Sequence, residues 1–290
     1  MLAPEYGSKF LLVMLNTDEP NRIAREFAAI PIKTGATSAL SPFSHAAFAP
    51  YQSLTQLIGD DQSPECFSAI ATQLGICHAR HDKPLIFSAE PKIASASDYE
   101  QTIAQTGVVP TRENNLHDFL NALVWLRFPL LKSAINLRHC QQLAASASEH
   151  QQRGILRDRL TLLDESGVLV ATPNQGLLNL LQNRQWLELF WDNRAEAIQN
   201  MRFLVVGHGL LEKCLKPFPG MTGKCLFIDS EETSPEKLDA IAAEILQGAQ
   251  VLKLPPLPIQ GVPGWSENHA RETYLDTQVF RPIRTLQSAS

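Results

Sequence analysis

Apolar residues recur at intervals of three and four along much of the chain, which is the spacing of one helix face. The clearest example begins at Thr233, which forms with Glu236 the pattern of an N-terminal capping box. One apolar face follows this box and contains Leu238, Ile241, Ala242, Ile245 and Leu246. These residues predict a helix that ends near Gly248.

A second helical pattern predicts two consecutive helices in the middle of the chain. Asn115 is a suitable N-cap, and Asp118 stands three residues later as the acidic partner of a capping box. Apolar positions then continue to Phe128, and Pro129 follows as a residue that is favoured in the first turn of a helix. We therefore expect a helical pair joined by a tight turn.

Short apolar runs predict strands at 203–206 and 224–228. The runs on either side of the polar, glycine-containing sequence 164–167 predict a β-hairpin near 160–170. Helical patterns predominate elsewhere. The predicted fold is therefore a mainly helical α/β or α+β domain with a small β-sheet that includes the hairpin.

The distribution of proline and small residues indicates how the chain is organised. Residues 1–40 are predicted to be an N-terminal extension that is peripheral to the rest. We expect 41–285 to form a single domain. Its last part contains the proline-rich sequence 255–258 and then Trp265, a composition that favours an extended segment lying across the surface as a clasp.

Composition and charge exclude several classes of function. With 25 basic and 30 acidic residues among 290, the formal net charge is −5, which gives no overall positive field to attract nucleic acid. No apolar run approaches the ~20 residues that span a bilayer, and no signal-peptide pattern begins the sequence. The five cysteines include no C-x-x-C pair, which predicts reduced thiols. We expect a soluble cytoplasmic protein whose partner is a small molecule or another protein.

Two sets of polar residues fall on the predicted helical pair. The first helix carries His117, Asp118 and Asn121, and the second carries Lys132, Asn136 and His139. The spacing places His117 and Asn121 on one helix face, and Lys132, Asn136 and His139 on one face of the next helix. If the two faces meet, the imidazoles and the carboxylate would suit a metal ion or a proton-transfer pair. The alternative is structural: the carboxylate caps its helix, the amides bond across the turn, and the histidines are ordinary core or surface groups.

A third set of polar residues surrounds the predicted hairpin. Arg157 precedes Asp158, and an arginine at the entry to a strand often forms a bidentate pair with a carboxylate or phosphate. Asp164 and Glu165 at the hairpin tip are suited to metal binding or base catalysis, although acidic residues also suit a tight turn.

The sequence Gly207-His208-Gly209 carries the preferred candidate site. It lies where a predicted strand turns directly into a helix, and ligands of α/β proteins tend to bind at such strand ends. His208 and Glu212 are four residues apart and so share a helix face. The motif is not a dinucleotide fingerprint, because Glu212 stands where the third glycine is required. The alternative is that His208 only caps the helix.

Short motifs follow one another between about Pro42 and Pro282. They are Thr111-Arg112 with His117-Asp118 and 121–125, Lys132 with Asn136 and His139, Arg157-Asp158 with 164–167, Gly207-His208 with 211–213, and 254–258 with 263–265 and 280–282. In this order they resemble the bacterial family catalogued as domain of unknown function 3025, although Gly209 replaces an expected alanine and Leu120 an expected phenylalanine. The resemblance implies no reaction, cofactor or catalytic residue, because the family has none assigned.

Two functional hypotheses follow from these observations. The first is an enzyme, a hydrolase or a phosphate-handling activity, whose acid, base or metal-ligating residues are His117, Asp118, His139, His208 and Glu212. Its candidate ligand-binding residues are Arg157, Asn121, Asn136 and Lys132, and its candidate cofactor is a divalent metal ion. The alternative is a non-catalytic cytoplasmic protein with an interaction or structural role, in which the same residues form internal hydrogen-bond networks.

Overall fold

The computed structural model describes residues 43–144 and 150–283, with side chains described from Gly154 onward in the second range. These residues divide into two compact units. The first comprises Pro50–Leu160 and Ser234–Gln250, and the second comprises 43–49, Thr161–Thr233 and 251–283. Within these ranges no helix is both long and apolar enough to cross a membrane.

Helices make up most of the described structure. In chain order they are α1 Gln52–Ile58, α2 Pro64–Leu74, α3 Ala96–Thr106, α4 Leu116–Arg127, α5 Pro129–Ala144, α6 His150–Ser166, α7 Gln175–Gln182, α8 Arg194–Asn200, α9 His208–Cys214 and α10 Pro235–Gly248. The strands are β1 Ile86–Ser88, β2 Val108–Pro110, β3 Gly167–Ala171, β4 Arg202–Val205, β5 Thr222–Ile228 and β6 Pro256–Pro258. The prediction of a mainly helical fold with a small β-sheet is therefore confirmed, as an α+β arrangement.

The first unit is built around α4, in which every residue from Phe119 through Arg127 is buried. A helix that is buried on all sides must be covered by its neighbours, and here α5 follows it directly and packs in turn against α3 and α10. The short parallel pair β1 and β2 lies beside α2 and α3. The predicted helical pair is confirmed, with Asn115 accepting a hydrogen bond from the backbone N–H of Asp118 at 3.0 Å.

The predicted helix after Thr233 is also confirmed, with one difference at its start. Ser234 is the N-cap, and its hydroxyl accepts the backbone N–H of Lys237 and donates to the carboxylate of Glu236 at 2.6 Å. Glu236 thus binds the side chain of Ser234 and not that of Thr233, the predicted cap. The helix ends at Gly248, close to the predicted position.

The second unit contains a four-stranded sheet in the order β4-β3-β5-β6. The central strand β3 is buried along its whole length, pairing antiparallel with β4 and parallel with β5. The short strand β6 pairs antiparallel with β5 through Leu257 opposite Gly223. The strands predicted at 203–206 and 224–228 are therefore confirmed as β4 and β5.

The predicted β-hairpin near 160–170 is wrong in its first arm. Residues 160–163 belong to α6, and only the second arm is a strand, β3. The reason lies in the spacing of Leu156, Leu160 and Leu163, which are all buried and recur at the interval of a helix face. The polar sequence before Gly167 therefore ends a helix rather than turning between two strands.

The C-terminal segment of the second unit is held by hydrogen bonds to the π-helical turn Glu188–Asp192 and its neighbours. Arg194 donates to the side-chain and backbone oxygens of Asn268, which is fully buried. The indole N–H of Trp186 donates to the carbonyl of Arg281 at 3.1 Å. The prediction of a single domain over 41–285 with such a clasp stays a prediction, and the extension predicted at 1–40 lies outside the described residues.

Candidate functional site

His208 stands at the turn that connects β4 to α9 in the second unit. The chain leaves β4 at Val205, and the backbone N–H groups of Val206 and Gly207 both donate to the carbonyl of Gly167, at 2.9 and 3.0 Å. Helix α9 then begins at His208, whose side chain is buried. The turn is thus fixed against the residue that joins α6 to β3.

Gly207 allows this close approach. A Cβ at that position would lie 2.5 Å from the backbone nitrogen of Ser166 and collide with that of Gly167. Only glycine therefore permits the end of α6 to pack directly on the turn. Because Glu165 and Asp164 immediately precede Ser166, the same packing brings two carboxylates to the imidazole.

The imidazole of His208 lies between these two carboxylates. Its Nδ1 is 3.8 Å from Oδ2 of Asp164, and its Nε2 is 3.4 Å from Oε1 of Glu165. The Glu165 side chain is 43% exposed, against 19% for Asp164, so Nε2 lies beside the more exposed of the two carboxylates. An imidazole with a carboxylate beside each nitrogen is suited to general acid–base chemistry or to metal binding.

Three of the candidates on the helical pair, Asn121, Lys132 and Asn136, lie in the interior of the first unit. Lys132 is 3% exposed; its ammonium donates to Oδ1 of Asn121 at 2.9 Å and lies 5.3 Å from the centroid of the Trp125 ring. Asn121 in turn donates to the hydroxyl of Tyr99 at 2.8 Å. The expected meeting of the two helix faces is therefore realised between Asn121 and Lys132.

Asn136 belongs to a second chain of hydrogen bonds in the same unit. Its amide nitrogen donates to the carboxylate of Glu100 at 2.6 Å, and its oxygen lies 3.0 Å from Nε2 of His78. Since Nδ1 of His78 accepts the backbone N–H of Arg80, the neutral tautomer with hydrogen on Nε2 satisfies both contacts. Burial, together with the charge of His81, lowers the pKa of His78 to about 4.

Sequence reasoning missed His78, Glu100 and Tyr99. They come from α3 and from the loop before β1, at sequence separations of 22, 36 and 58 residues from the partners on α4 and α5. A local signal was present in the two histidines of the short stretch 78–81, but their spacing alone does not identify Asn136 as a partner.

The remaining candidates of the helical pair have other surroundings. Asp118 accepts two side-chain hydrogen bonds from Arg112, both at 2.9 Å. Burial alone would raise the pKa of Asp118, but the hydrogen bonds and charge of Arg112 outweigh it and hold the pKa below its ordinary value. His139 is buried on α5, and His117 is partly buried in the first turn of α4. The prediction that these residues share one site with His208 stays a prediction.

Two candidates lie on exposed helix surface. Arg157 is exposed on the part of α6 that belongs to the first unit, and Glu212 is exposed on α9, one turn beyond His208. The roles predicted for them, ligand binding and catalysis, stay predictions.

One protein-family model matches residues 85–284, which is more than half of the chain and includes His208 and both carboxylates beside it. No curated protein matches the chain. No solved structure matches it either.

Proposed function

This chain belongs to the family described as Protein of unknown function (DUF3025), and because that description states no activity, we propose a function from the geometry: a hydrolase in which His208 is the general base. The observation that carries the proposal is the position of one buried imidazole between two adjacent carboxylates. Such an arrangement orients the ring and stabilises it when it takes up a proton.

Asp164 and Glu165 have different roles in this proposal. Asp164 faces Nδ1 of His208, so the neutral ring would carry its proton there and leave the lone pair of Nε2 to accept a proton from water. The distance of 3.8 Å is longer than a hydrogen bond, as is common for catalytic contacts before substrate binds. Glu165, beside Nε2, would hold the attacking water as a hydrogen-bond acceptor.

Hydrolysis is the reaction class that this set of groups supports best. In the second unit, one imidazole and two carboxylates lie together, and such groups can activate water. Direct attack by an activated water needs no nucleophilic serine or cysteine. Carboxylic and phosphate esters are the substrates to examine, since both are cleaved by attack of water, the step that a general base accelerates.

The test is turnover of three chromogenic substrates, p-nitrophenyl acetate, p-nitrophenyl phosphate and bis(p-nitrophenyl) phosphate, by the purified full chain. We expect hydrolysis of at least one of them, reduced roughly 100-fold or more in H208A, because a general base contributes about 10²–10⁴-fold. The control is H269A, which removes an exposed histidine of the same unit. D164N should lower kcat with little change in KM, because it disfavours the required tautomer.

Turnover that is equal in H208A, or no turnover of any of the three esters, would contradict the hydrolase proposal. The remaining explanation would then be the non-catalytic one, in which the imidazole and carboxylates form an internal ion pair. Circular dichroism of each variant establishes that it is folded before its turnover is compared.

A further inference from the structure

We propose that His208 and Glu165 bind a divalent cation of the zinc type, with Asp164 orienting the imidazole. The inference rests on the proposed function in taking His208 as the functional residue, and it assigns the activation of water to the cation, with Nε2 of His208 as a ligand in place of a general base. It is argued from the spacing of the two ligand atoms, from their chemistry and from the space left by Gly209.

The spacing of Nε2 of His208 and Oε1 of Glu165 is 3.4 Å. This is longer than the 2.7–3.2 Å of a direct N–H···O hydrogen bond. Two ligands that bind one tetrahedral ion at ~2.0–2.1 Å are separated by about 3.4 Å. The two atoms therefore have the separation of neighbouring ligands on one zinc-type ion.

The chemistry of the three side chains agrees with this assignment. Neutral imidazole nitrogen and carboxylate oxygen are common zinc ligands, and a carboxylate at the other ring nitrogen is the usual partner of a metal-bound histidine. Asp164 is 3.8 Å from Nδ1, on the side of the ring away from Glu165. It would fix the tautomer that presents the lone pair of Nε2 to the cation.

Gly209 leaves the space in which the Glu165 carboxylate lies. A Cβ at this position would collide with Oε2 of Glu165 and lie 3.1 Å from its backbone oxygen. Gly209 therefore allows the carboxylate of Glu165 to reach the first turn of α9, beside His208. With two protein ligands from this unit, water can occupy another position on the ion, where its pKa would fall to about 7.

The chemical step is a hydrolysis in which all atoms balance. The cation would lower the pKa of its bound water, which would lose a proton to solvent; the resulting hydroxide would form a bond to the ester carbon or phosphorus, and the bond to the leaving alcohol would break. The leaving alkoxide would take up a proton from solvent, which replaces the one that the water had lost, so no oxidant or reductant is required.

The test is zinc binding, measured on the folded full chain without any substrate. The protein is treated with a chelator, dialysed and titrated with ZnCl2 by calorimetry, and the bound metal is counted by elemental analysis. We expect one equivalent of zinc and a rise in the melting temperature with zinc concentration, since an ion that binds the folded state stabilises it.

Variants identify the ligands. E165Q keeps the size of a partly exposed side chain and should fold, yet it should weaken zinc binding strongly, as should H208A. D164N should lower the affinity by roughly 10–100-fold, the usual effect of losing an outer partner of a ligating histidine. The matched controls E231Q and H269A change exposed residues of the same unit and should bind zinc like the wild type.

Absence of binding, or equal binding by E165Q and the wild type, would overturn the metal assignment. The outcome is separable from that of the proposed function. Turnover that depends on His208 but survives chelation would retain the hydrolase and reject the cation, whereas stoichiometric zinc without turnover of the three esters would retain the cation and reject the hydrolase.

Discussion

Asp239 caps helix α5 from a different helix, accepting the backbone N–H of Leu131 at 2.8 Å through one carboxylate oxygen. Its second oxygen accepts the N–H of Leu130 at 3.0 Å. Because α5 begins at Pro129, these N–H groups have no acceptor within their own helix. Asp239 lies on α10 and is 2% exposed, so one buried carboxylate joins two helices of the first unit.

Replacing Asp239 with alanine should destabilise the first unit by about 1–3 kcal/mol, because two buried N–H groups lose their acceptors. The specific measurement is amide hydrogen exchange at Leu130 and Leu131, which should lose protection. E244A, on the exposed face of the same helix, is the control and should leave both amides protected. Unchanged protection in D239A would mean that the cap does not hold the start of α5.

The burial of Asp239 also predicts that the stability of the protein depends on pH. Burial raises the pKa of Asp239 to about 7, although the two N–H groups and Arg127 act to lower it. A folded-state pKa above the ordinary 3.8 means that the contribution to stability is complete below pH 4 and is lost as pH rises towards 7. In urea titrations between pH 4 and 8, D239N should therefore lack this decline. An identical slope in D239N and the wild type would contradict it.

For His78 we expect the opposite dependence of stability on pH, over an overlapping pH range. Its pKa lies near 4, against an ordinary 6.5, so its contribution is complete above pH 6.5 and is lost as pH falls towards 4. The full loss approaches about 3 kcal/mol. H78Q should flatten the acid side of the stability profile, and H269Q, at an exposed histidine, should not. A profile for H78Q that falls as steeply as that of the wild type would refute the assignment of a buried neutral ring.

The buried ion pair between Arg127 and Glu236 should be costly to break. Both side chains are less than 10% exposed, so E236Q leaves a buried guanidinium without its charged partner and should cost about 3–5 kcal/mol in chemical unfolding. Replacing both residues, in R127M/E236M, should recover part of that loss, because neither the guanidinium nor the Glu236 carboxylate is then buried. The exposed pair of Arg112 with Asp118 is the control: R112A should cost less than about 1 kcal/mol.

The elements that sequence could predict are those with local causes. The N-cap at Asn115 and the helix start at Pro129 depend on neighbours within four residues, and both are present. The contact between Asn121 and Lys132 could be anticipated because a tight turn joins their helices. The hairpin failed because a polar, glycine-containing sequence ends a helix as readily as it turns a strand.

The contacts that sequence could not predict are long-range. Asp239 is more than a hundred residues from Leu131, and His78 is 58 positions from Asn136. No sequence motif around Asp239 or His78 identifies the residue that it contacts. At the preferred site, the sequence around Gly207 indicates His208, and the polar sequence 164–167 indicates Glu165. Only the packing of α6 on Gly207 brings the two side chains together.

Gly209 provides a test that separates the site from the fold. In G209A the new methyl group meets Oε2 of Glu165, the end of a flexible side chain, and lies 3.1 Å from the backbone oxygen of Glu165. The carboxylate should therefore move and the backbone should shift slightly, while the helix remains intact. We expect a free energy of unfolding within about 1 kcal/mol of the wild-type value, because the greater helix propensity of alanine offsets the cost of relieving the tight contact with Glu165. Zinc affinity and His208-dependent turnover should both fall. G248A, where a Cβ meets no atom within 4 Å, should change neither. If G209A binds zinc as tightly as the wild type, the position of the Glu165 carboxylate beside His208 does not determine binding, and Glu165 is not a ligand.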